Sequence, residues 1–413
     1  MKVLWFEITI PSGYLNTNNV LGGWQDALEN VVSNHSDIEL YVAFLSQDHS
    51  QPLIVGNVNY IPICQKMGIL NRVRNLFTWK VCERLVVNEC LQIVEAVQPD
   101  IIHVFGTEFP FGLISKTINV PLVIHIQGAI IPYYNAGYPP RYNGYTMVST
   151  LAPNLIWQFY IWVKHKKELS RVKMETDIWR SVQYYMGRTE WDKALANLQN
   201  PTSTYFHVDE LLRPIFYNEN LRWKYEKSDK LKIVTVGIGT FWKGPDMILK
   251  TANILCSMGV NFEWKVAGCI RKEIKKAVEL KEKLTFQDNK VSILGNLQPD
   301  QLCALLVDST LFVHTAYIDN SPNSICEAQI VGIPVVSTYV GGIDSIVSNN
   351  VDGILVPAND PWRMAYVIMK LAEDEARMNT LSSRAKENAR KRHDRDKILS
   401  ELLKCYKSVI EKK

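Results

Sequence analysis

Short apolar segments recur along the chain and alternate with stretches whose apolar residues return at helical spacing. These segments are rich in Val and Ile, and several of them end at a glycine. Continuous apolar runs separated by helical stretches are typical of parallel strands that are buried on both faces of a sheet. In chain order the predicted strands are KVLWFEITI, IELYVAFLS, VNYIPIC, IIHVFG, PLVIHIQG and SVQYYMG, then KIVTVG, NFEWKVAG, KVSILG, LFVHTA and PVVST.

The predicted strands fall into two groups, which the polar and charged segment 214–230 separates. A chain of 413 residues also exceeds the size at which one hydrophobic core usually keeps growing. Each group therefore predicts a doubly wound α/β domain, with ligands at the carboxyl ends of its strands. We expect the first domain to cover residues 1–220 and the second to cover residues 230–390, followed by a charge-rich helical tail.

Composition excludes few classes of function. The chain is 47% hydrophobic and 21% charged, as in ordinary soluble proteins, and its net charge of +4 gives no general argument for a nucleic-acid partner. Its eight cysteines include no C-x-x-C pair and form no metal-ligand spacing with the histidines, so free thiols in a reducing compartment are expected. The amino terminus lacks the h-region of a signal peptide, and the uncharged segment 142–163 is too polar for a spanning helix, which favours a cytoplasmic protein.

One segment, YIDNSPNSICEAQIVGIPVVSTYVGG at positions 317–342, concentrates candidate chemistry. Ser321 and Pro322 predict a helix start, and the helix should run from Asn323 to about Val331. A helix that begins just after a parallel strand directs backbone N–H groups towards the ligand crevice. Asp319 and Glu327 could then face the two ends of an extended ligand. The alternative is that both are ordinary loop and surface-helix acids.

The continuation from Glu327 to Pro361 resembles the signature of the retaining glycosyltransferases of family 4, usually E-x7-E followed by a glycine, Pro-Val-Val and Gly-Gly. Asp319 stands here where the family more often has a glutamate. GIGTFWKGPDMILKTANIL resembles the loop that carries the family's Lys-Gly pair, here Lys243 and Gly244, although Ile238 replaces a frequent arginine. GRT, VLGGWQDALENVV, DIIHVFGTE and LVIHIQG extend the resemblance over nearly the whole chain.

This resemblance implies the GT-B fold, with two facing Rossmann-like domains. Residues 1–220 would bind the acceptor, residues 230–390 would bind the nucleotide-sugar, and the helix 391–413 would pack back on the first domain. The implied reaction moves a sugar from a UDP- or GDP-sugar to a hydroxyl of a glycan or lipid-linked acceptor, with retention, in surface polysaccharide synthesis. No metal and no cofactor are implied, because no Asp-x-Asp motif follows a strand.

The resemblance also suggests roles for individual residues. Arg188 and Lys243 would neutralise the diphosphate, Asp319 would lie beside the donor sugar, and Glu327 would accept hydrogen bonds from the ribose. For Arg188, a surface pair with Asp192 is the alternative. The further donor-binding candidates are Gly22, Gly23, Gly295, Ser321, Asn323 and Ser324.

On the acceptor side, many family members have a histidine in the loop after the strand PLVIHIQG, and Gln127 occupies that place. Glutamine cannot titrate, so Gln127 cannot act as a general base. His125 lies two residues earlier and is expected in the core. His103, with Glu108 close behind it, is the better candidate to touch the acceptor, and His103 and Gln127 are both retained as catalytic candidates.

Two stretches, 68–87 and 155–173, interleave basic with aromatic and aliphatic residues. Such helices can lie in the interface of an anionic membrane, which would place the protein on the inner face of the cell membrane. The alternative is a pair of helices with an apolar core face and a solvated basic face. Other functions also stay open: a nucleotide-sugar epimerase or phosphorylase of similar fold, or a non-catalytic nucleotide- or lipid-binding protein.

Overall fold

The computed structural model describes residues 1–15, 23–46, 51–64, 67–146 and 155–412, with only the backbone of 155–157. The chain divides into two compact units. Unit 1 contains Met1–Tyr134, Tyr160–Leu211 and His393–Lys413, and unit 2 contains Asn135–Phe159 and Leu212–Arg392.

Unit 1 is built on an eight-stranded sheet. Its strands are β1 (Lys2–Glu7), β2 (Glu39–Ser46), β3 (Leu53–Val55), β4 (Val58–Cys64), β5 (Ile101–Phe105), β6 (Leu122–His125), β7 (Tyr184–Gly187) and β8 (Thr204–His207). They lie in the order β3-β4-β2-β1-β5-β6-β7-β8. Neighbouring strands are parallel, except that β3 pairs with β4 in antiparallel register. The strand order reverses at β1, so a ligand crevice is expected beyond the carboxyl ends of β1 and β5.

The helices of unit 1 cover the two faces of this sheet. They are α1 (Ser12–Leu15), α2 (Trp24–Ser33), α3 (Ile69–Phe77), α4 (Lys80–Val97), α5 (Ile130–Asn135), α6 (Leu155–Ser181), α7 (Glu190–Gln199) and the last helix of the chain, with a 3-10 helix at Pro110–Lys116. The apolar side chains form two separate clusters, one for each face of the sheet. A sheet that is covered on both faces explains why its strands are continuously apolar.

Unit 2 has a six-stranded parallel sheet. The strands are β9 (Leu231–Val236), β10 (Phe262–Ala267), β11 (Val291–Gly295), β12 (Leu311–His314), β13 (Val335–Thr338) and β14 (Ile354–Val356), in the order β11-β10-β9-β12-β13-β14. The helices are α8 (Pro245–Ser257), α9 (Lys272–Glu282), α10 (Pro299–Asp308), α11 (Asn323–Val331), α12 (Pro361–Ala372) and α13 (Glu375–Arg392), with 3-10 helices at Pro214–Tyr217, Phe241–Lys243 and Ile343–Ser345. The strand order reverses between β9 and β12.

The sequence pattern did not predict β3, β8 and β14. Each has only three or four residues, and β3 and β8 lie at the edges of their sheet, where little of the strand is buried. The predicted connection 214–230 also differs from the structure. Phe216 and Trp223 are buried in the core of unit 2, and the Trp223 indole donates to the Ser309 carbonyl over 2.8 Å. A few large aromatic anchors, rather than a periodic pattern, attach this segment.

Residues 135–159 belong to unit 2, although the sequence boundary assigned them to the first domain. Tyr142 accounts for this difference. Its ring lies 5.7 Å from that of Phe241, and its hydroxyl donates to Glu282 over 2.6 Å. These contacts attach Tyr142 to the core of unit 2, whose strands come later in the chain.

The last helix, α14 (Arg395–Glu411), belongs to the core of unit 1. Asp394 caps its first turn by accepting from the Lys397 backbone N–H, and Ile398, Leu402 and Tyr406 are completely buried. The Tyr406 hydroxyl accepts from the Trp5 indole over 3.0 Å and lies 2.6 Å from His103 Nδ1. The final helix therefore completes a unit whose first strand begins at residue 2.

Candidate functional site

The carboxyl ends of the central strands of unit 2 bring together a cation, a carboxylate and an imidazole. Lys243 lies in the loop after β9, and Asp319 lies in the loop after β12. The Lys243 ammonium donates to Asp319 Oδ2 over 2.6 Å, and His314 Nε2 lies 3.1 Å from the same oxygen. Lys243 and Asp319 were predicted as site residues, whereas His314 was not. His314 ends β12 five positions before Asp319, and this strand-end position is the feature by which it could have been predicted.

The charges of this cluster follow from its burial. Burial alone would raise the pKa of Asp319, but Lys243 and His314 outweigh it and hold that pKa well below its usual range. Burial lowers the pKa of His314, although Asp319 partly opposes the shift. At neutral pH the cluster therefore contains an ionised carboxylate and a neutral imidazole. Because a carboxylate only accepts, the proton of His314 lies on Nε2.

Two glycines fix the backbone of the loop that carries Asp319. Gly341 has φ +55°, and a Cβ there would lie 1.8 Å from the Asp319 carbonyl oxygen. Gly244 has φ +73°, and its Cβ would lie 2.0 Å from the Thr315 carbonyl oxygen. The loop is also bonded from both sides, because the Gly342 N–H donates to the Asp319 carbonyl and the Thr315 hydroxyl donates to the Lys243 carbonyl. Only glycine therefore fits at Gly244 in the Lys-Gly motif and at Gly341 in the Gly-Gly motif without a steric clash.

Glu327 lies on α11 and is held by an arginine that the sequence analysis missed. Arg213 donates from Nε and Nη2 to the two carboxylate oxygens, both over 2.8 Å. Burial raises the pKa of Glu327, and Arg213 opposes that shift. Nothing in the pattern around Arg213 distinguishes it, because the pair joins positions 114 residues apart.

The remaining donor candidates of unit 2 lie at the start of α11 and at the end of β11. Ser321 is buried, whereas Asn323 and Ser324, the first two residues of the helix, are half-buried. The helix ends at Gly332, which has φ +94°. Gly295 ends β11 with φ +74°, and the space around its Cβ position is open. The helix boundaries thus agree with those predicted from the sequence.

In unit 1, Arg188 is a buried residue with a buried partner. Its side chain is 5% exposed, its Nη2 lies 3.1 Å from Glu210 Oε2, and its guanidinium lies 5.5 Å from the Trp24 ring. Asp192 instead accepts from the Arg188 backbone N–H and belongs to the capping box of α7. The alternative of a surface pair between Arg188 and Asp192 is therefore wrong.

The two histidines that the sequence placed near the acceptor side, His103 and His125, are both completely buried. His103 bonds to Tyr406 and stacks on Phe105 with 4.2 Å between ring centroids, and burial lowers its pKa to about 3. This position does not fit the predicted contact between His103 and an acceptor. His125 stacks 5.5 Å from His103, and burial lowers its pKa well below the usual range, which fits the expected core residue.

Glu108 and Gln127 lie in the loops at the carboxyl ends of β5 and β6. Gln127 is half-buried, and its amide donates to the His125 carbonyl over 3.3 Å. Among the described residues Glu108 Oε2 is buried without a hydrogen-bond partner, and a Cβ on Gly106 would lie 2.2 Å from it. Burial, helped by the nearby Glu175, raises the pKa of Glu108 to about 7. Glu108 is therefore a carboxyl group that can hold a proton near neutral pH.

Two predicted glycines precede α2. Gly22 lies outside the described residues. Gly23 occupies the N-cap position with extended backbone, and no atom lies within 4 Å of the place where a Cβ would stand.

Within the described ranges, no three His, Cys, Asp or Glu side chains are arranged so that they could hold a metal ion. No helix in the described part of the chain has the length and apolarity needed to cross a membrane.

The contact between Gly341 and Asp319 predicts a large cost for a single methyl group. The free energy of unfolding of Gly341→Ala should fall by about 1–2 kcal/mol, because alanine is strained in the left-handed conformation. It should fall by about 1–3 kcal/mol more, because the new Cβ collides with the Asp319 carbonyl oxygen. Gly259→Ala is the matched control, because Gly259 has φ +71° and open space around its Cβ position. Urea unfolding of both variants measures the difference, and equal losses would show that the collision is relieved without cost.

The raised pKa of Glu108 predicts a pH-dependent stability. Between pH 4.5 and about 7 the unfolded chain releases the Glu108 proton while the folded chain keeps it, so this group destabilises the fold progressively as pH rises. Glu108→Gln should therefore be more stable than the parent protein at pH 8, and this gain should shrink towards pH 4. Thermal unfolding across this range measures the difference, and a gain that is constant with pH would contradict the assignment.

Solved structures of low sequence identity share this architecture. Sucrose-phosphate synthase from Thermosynechococcus elongatus has a TM-score of 0.72 at 13% identity, with 100% of each chain covered. HepE from Anabaena, solved in complex with UDP and glucose, has a TM-score of 0.67 at 15% identity, covering 99% of this chain and all of that one. These likenesses confirm the predicted GT-B fold class.

Curated relatives match only part of this chain. The amylovoran biosynthesis glycosyltransferase AmsK of Erwinia amylovora is 25% identical over 165 residues, 38% of this chain and 40% of the relative. The capsular polysaccharide biosynthesis glycosyltransferase CapM of Staphylococcus aureus is 25% identical over 196 residues, 47% of this chain and 51% of the relative. The chain thus spans about half or less of the length of these relatives.

The family profile of the glycosyl transferases group 1 matches residues 218–392. This segment contains Lys243, His314, Asp319 and Glu327, together with the two glycines that fix the loop between them. Over this segment the chain is thus similar to the group 1 glycosyl transferases.

Proposed function

We propose that this protein is a retaining glycosyltransferase that moves a sugar from a UDP- or GDP-sugar to a hydroxyl of a glycan or lipid-linked acceptor. The observation that carries the proposal is the Lys243–Asp319–His314 cluster at the strand ends of the matched segment. AmsK and CapM act in polysaccharide biosynthesis, and HepE binds UDP and glucose, which supports a nucleotide-sugar donor and a role in surface polysaccharide synthesis.

Lys243 supplies the positive charge that the leaving diphosphate requires. As the bond between the sugar and the diphosphate breaks, negative charge grows on the diphosphate, and a preorganised cation stabilises that charge. Asp319 accepts from the Lys243 ammonium over 2.6 Å and stays ionised, so it holds the ammonium in place before the donor arrives. The start of α11 adds backbone N–H groups beside it.

Glu327 binds the ribose of the donor in this proposal. Arg213 occupies one hydrogen-bonding site on each of its oxygens, and each oxygen of a carboxylate has two such sites. The remaining sites can accept from the ribose hydroxyls, while Arg213 keeps the carboxylate fixed. This contact persists through the reaction, so it contributes to donor binding more than to turnover.

In unit 1, Arg188 is the proposed diphosphate contact, and Glu108 and Gln127 are the proposed acceptor contacts. Arg188 is paired with Glu210, and its removal would leave a buried carboxylate without its cation, which is strongly destabilising. Lys243 is therefore the better position at which to test the role of charge.

The reaction needs no metal and no cofactor in this proposal, because Lys243 and the start of α11 take the place of a metal cation. The protein works in the cytoplasm, on the inner face of the cell membrane.

The proposal predicts slow hydrolysis of one nucleotide-sugar in a panel of UDP- and GDP-sugars, with EDTA present and with the sugar released as the same anomer as in the donor. Lys243→Ala should lower this rate about 100- to 1000-fold, because it removes a transition-state contact. Lys276→Ala, at an exposed lysine on α9, is the control. Inversion would contradict the retaining mechanism, and a need for divalent metal would contradict a reaction without metal. An undiminished rate in Lys243→Ala would contradict the role of Lys243. A product epimer in place of hydrolysis would indicate an epimerase.

The ribose role predicts a different effect at Glu327. Glu327→Gln should weaken binding of the free nucleoside diphosphate about tenfold or more while changing turnover at saturating donor little, because the contact acts on ground and transition states alike. Calorimetric titration with UDP and GDP measures the first effect, and donor hydrolysis measures the second. Unchanged nucleotide affinity in this variant would show that Glu327 does not bind the ribose.

A further inference from the structure

Helix α3 presents its apolar side chains to solvent. Ile69 and Leu70 are each 81% exposed, and Val73, Leu76 and Phe77 are also exposed. None of the nine residues of α3, all of which the structure describes, is buried. The residues that turn inwards are Asn71 and Asn75, which are half-buried. A helix that packs on a soluble core shows the opposite arrangement.

The apolar surface continues onto α6 within unit 1. The Phe77 ring lies 6.3 Å from the Trp162 ring, and Trp162 and Tyr160 are about half exposed. Tryptophan and tyrosine are enriched where a membrane meets water, because one end of each ring system is apolar and the other is polar. We call the exposed side chains of α3 together with Tyr160 and Trp162 the apolar face.

Basic side chains border the apolar face. An open cavity of about 820 Å³ lies beside α3 and α4, and its lining includes Arg74, Lys80, Arg84 and Lys116. Two acidic residues also line the cavity, and one of them, Glu83, is paired with Lys80 over 2.5 Å. Helix α3 itself contains no Asp or Glu, and Lys164 and Lys166 are exposed on α6 beside Trp162. The border is therefore positively charged.

We infer that this surface docks unit 1 on an anionic lipid bilayer. The apolar face enters the region between headgroups and acyl chains, and Arg74, Arg84 and Lys116 contact lipid phosphates at the cavity. A basic border around exposed aliphatic and aromatic residues has the chemistry of a peripheral membrane helix. The inference gives a definite surface to the membrane location proposed above, on which it rests, and a lipid-linked acceptor would then arrive at the unit that holds Glu108 and Gln127.

Sedimentation with vesicles tests the inference. The protein should sediment with vesicles of phosphatidylcholine and phosphatidylglycerol, much less with phosphatidylcholine alone, and high salt should release it. Each basic residue near an anionic surface strengthens partitioning about fivefold. The triple variant Arg74→Gln/Arg84→Gln/Lys116→Gln should therefore bind on the order of a hundredfold more weakly.

The apolar face has its own variant. Ile69→Ser/Leu70→Ser should weaken binding at least about tenfold, because both side chains lose their transfer from water into lipid. Both are exposed in the folded protein, so folding should survive. Leu198→Ser is the matched apolar control, since Leu198 is 80% exposed on α7. The matched basic control is Arg271→Gln/Lys272→Gln/Lys276→Gln, which changes exposed residues of unit 2. Neither control should change sedimentation.

Three results would overturn the inference. In the first, the parent protein stays in the supernatant with anionic vesicles at low salt. In the second, both the triple variant and Ile69→Ser/Leu70→Ser still sediment with the vesicles. In the third, light scattering shows that the parent protein is a dimer and that Ile69→Ser/Leu70→Ser dissociates it. Donor hydrolysis without vesicles separates this test from the proposed activity. If the protein binds vesicles but hydrolyses no donor, the transferase proposal fails and the docking surface stands. If it hydrolyses donor but binds no vesicles, the docking surface fails and the transferase proposal stands.

Discussion

The candidate site depends on the backbone of one short loop, Thr315 to Asp319. Gly244 presses against its first carbonyl and Gly341 against its last, and both approaches are closer than any side chain would permit. This double contact sets where the Asp319 carboxylate lies, and the carboxylate in turn sets where the Lys243 ammonium lies. A cation that is held by a fixed anion needs little reorganisation when a charged ligand arrives, which is the condition for efficient electrostatic stabilisation.

The ion pairs of the two units differ in how far they are exposed to solvent. In unit 1 Arg188 and Glu210 are both almost fully enclosed, whereas in unit 2 the Lys243 side chain remains 21% exposed beside Asp319. An enclosed pair mainly avoids the cost of an unpaired buried charge. A partly exposed ammonium can in addition exchange part of its interaction with water for a contact with a ligand.

Much of the fold could be predicted from the sequence, because buried parallel strands and helix boundaries leave local patterns. The bounds of α11 agree with those predicted from Ser321, Pro322 and Gly332. Pairings between distant positions leave no such pattern. Arg213 with Glu327, Tyr142 with Glu282 and Tyr406 with His103 became visible only in the folded chain. The burial of individual side chains could not be predicted from the sequence either. His103 and Arg188 have the residue types of functional groups, yet both are buried.

The hydrogen bond between Trp5 and Tyr406 joins residues 401 positions apart, and this has a consequence for biosynthesis. The first strand leaves the ribosome long before α14 has been translated, so unit 1 must wait with part of its core uncovered. The residues of unit 2 are all made within that interval, and their core contains no residue of α14. Unit 2 can therefore reach its native structure first, and the amino-terminal half of the chain is the part that needs protection from aggregation while it waits.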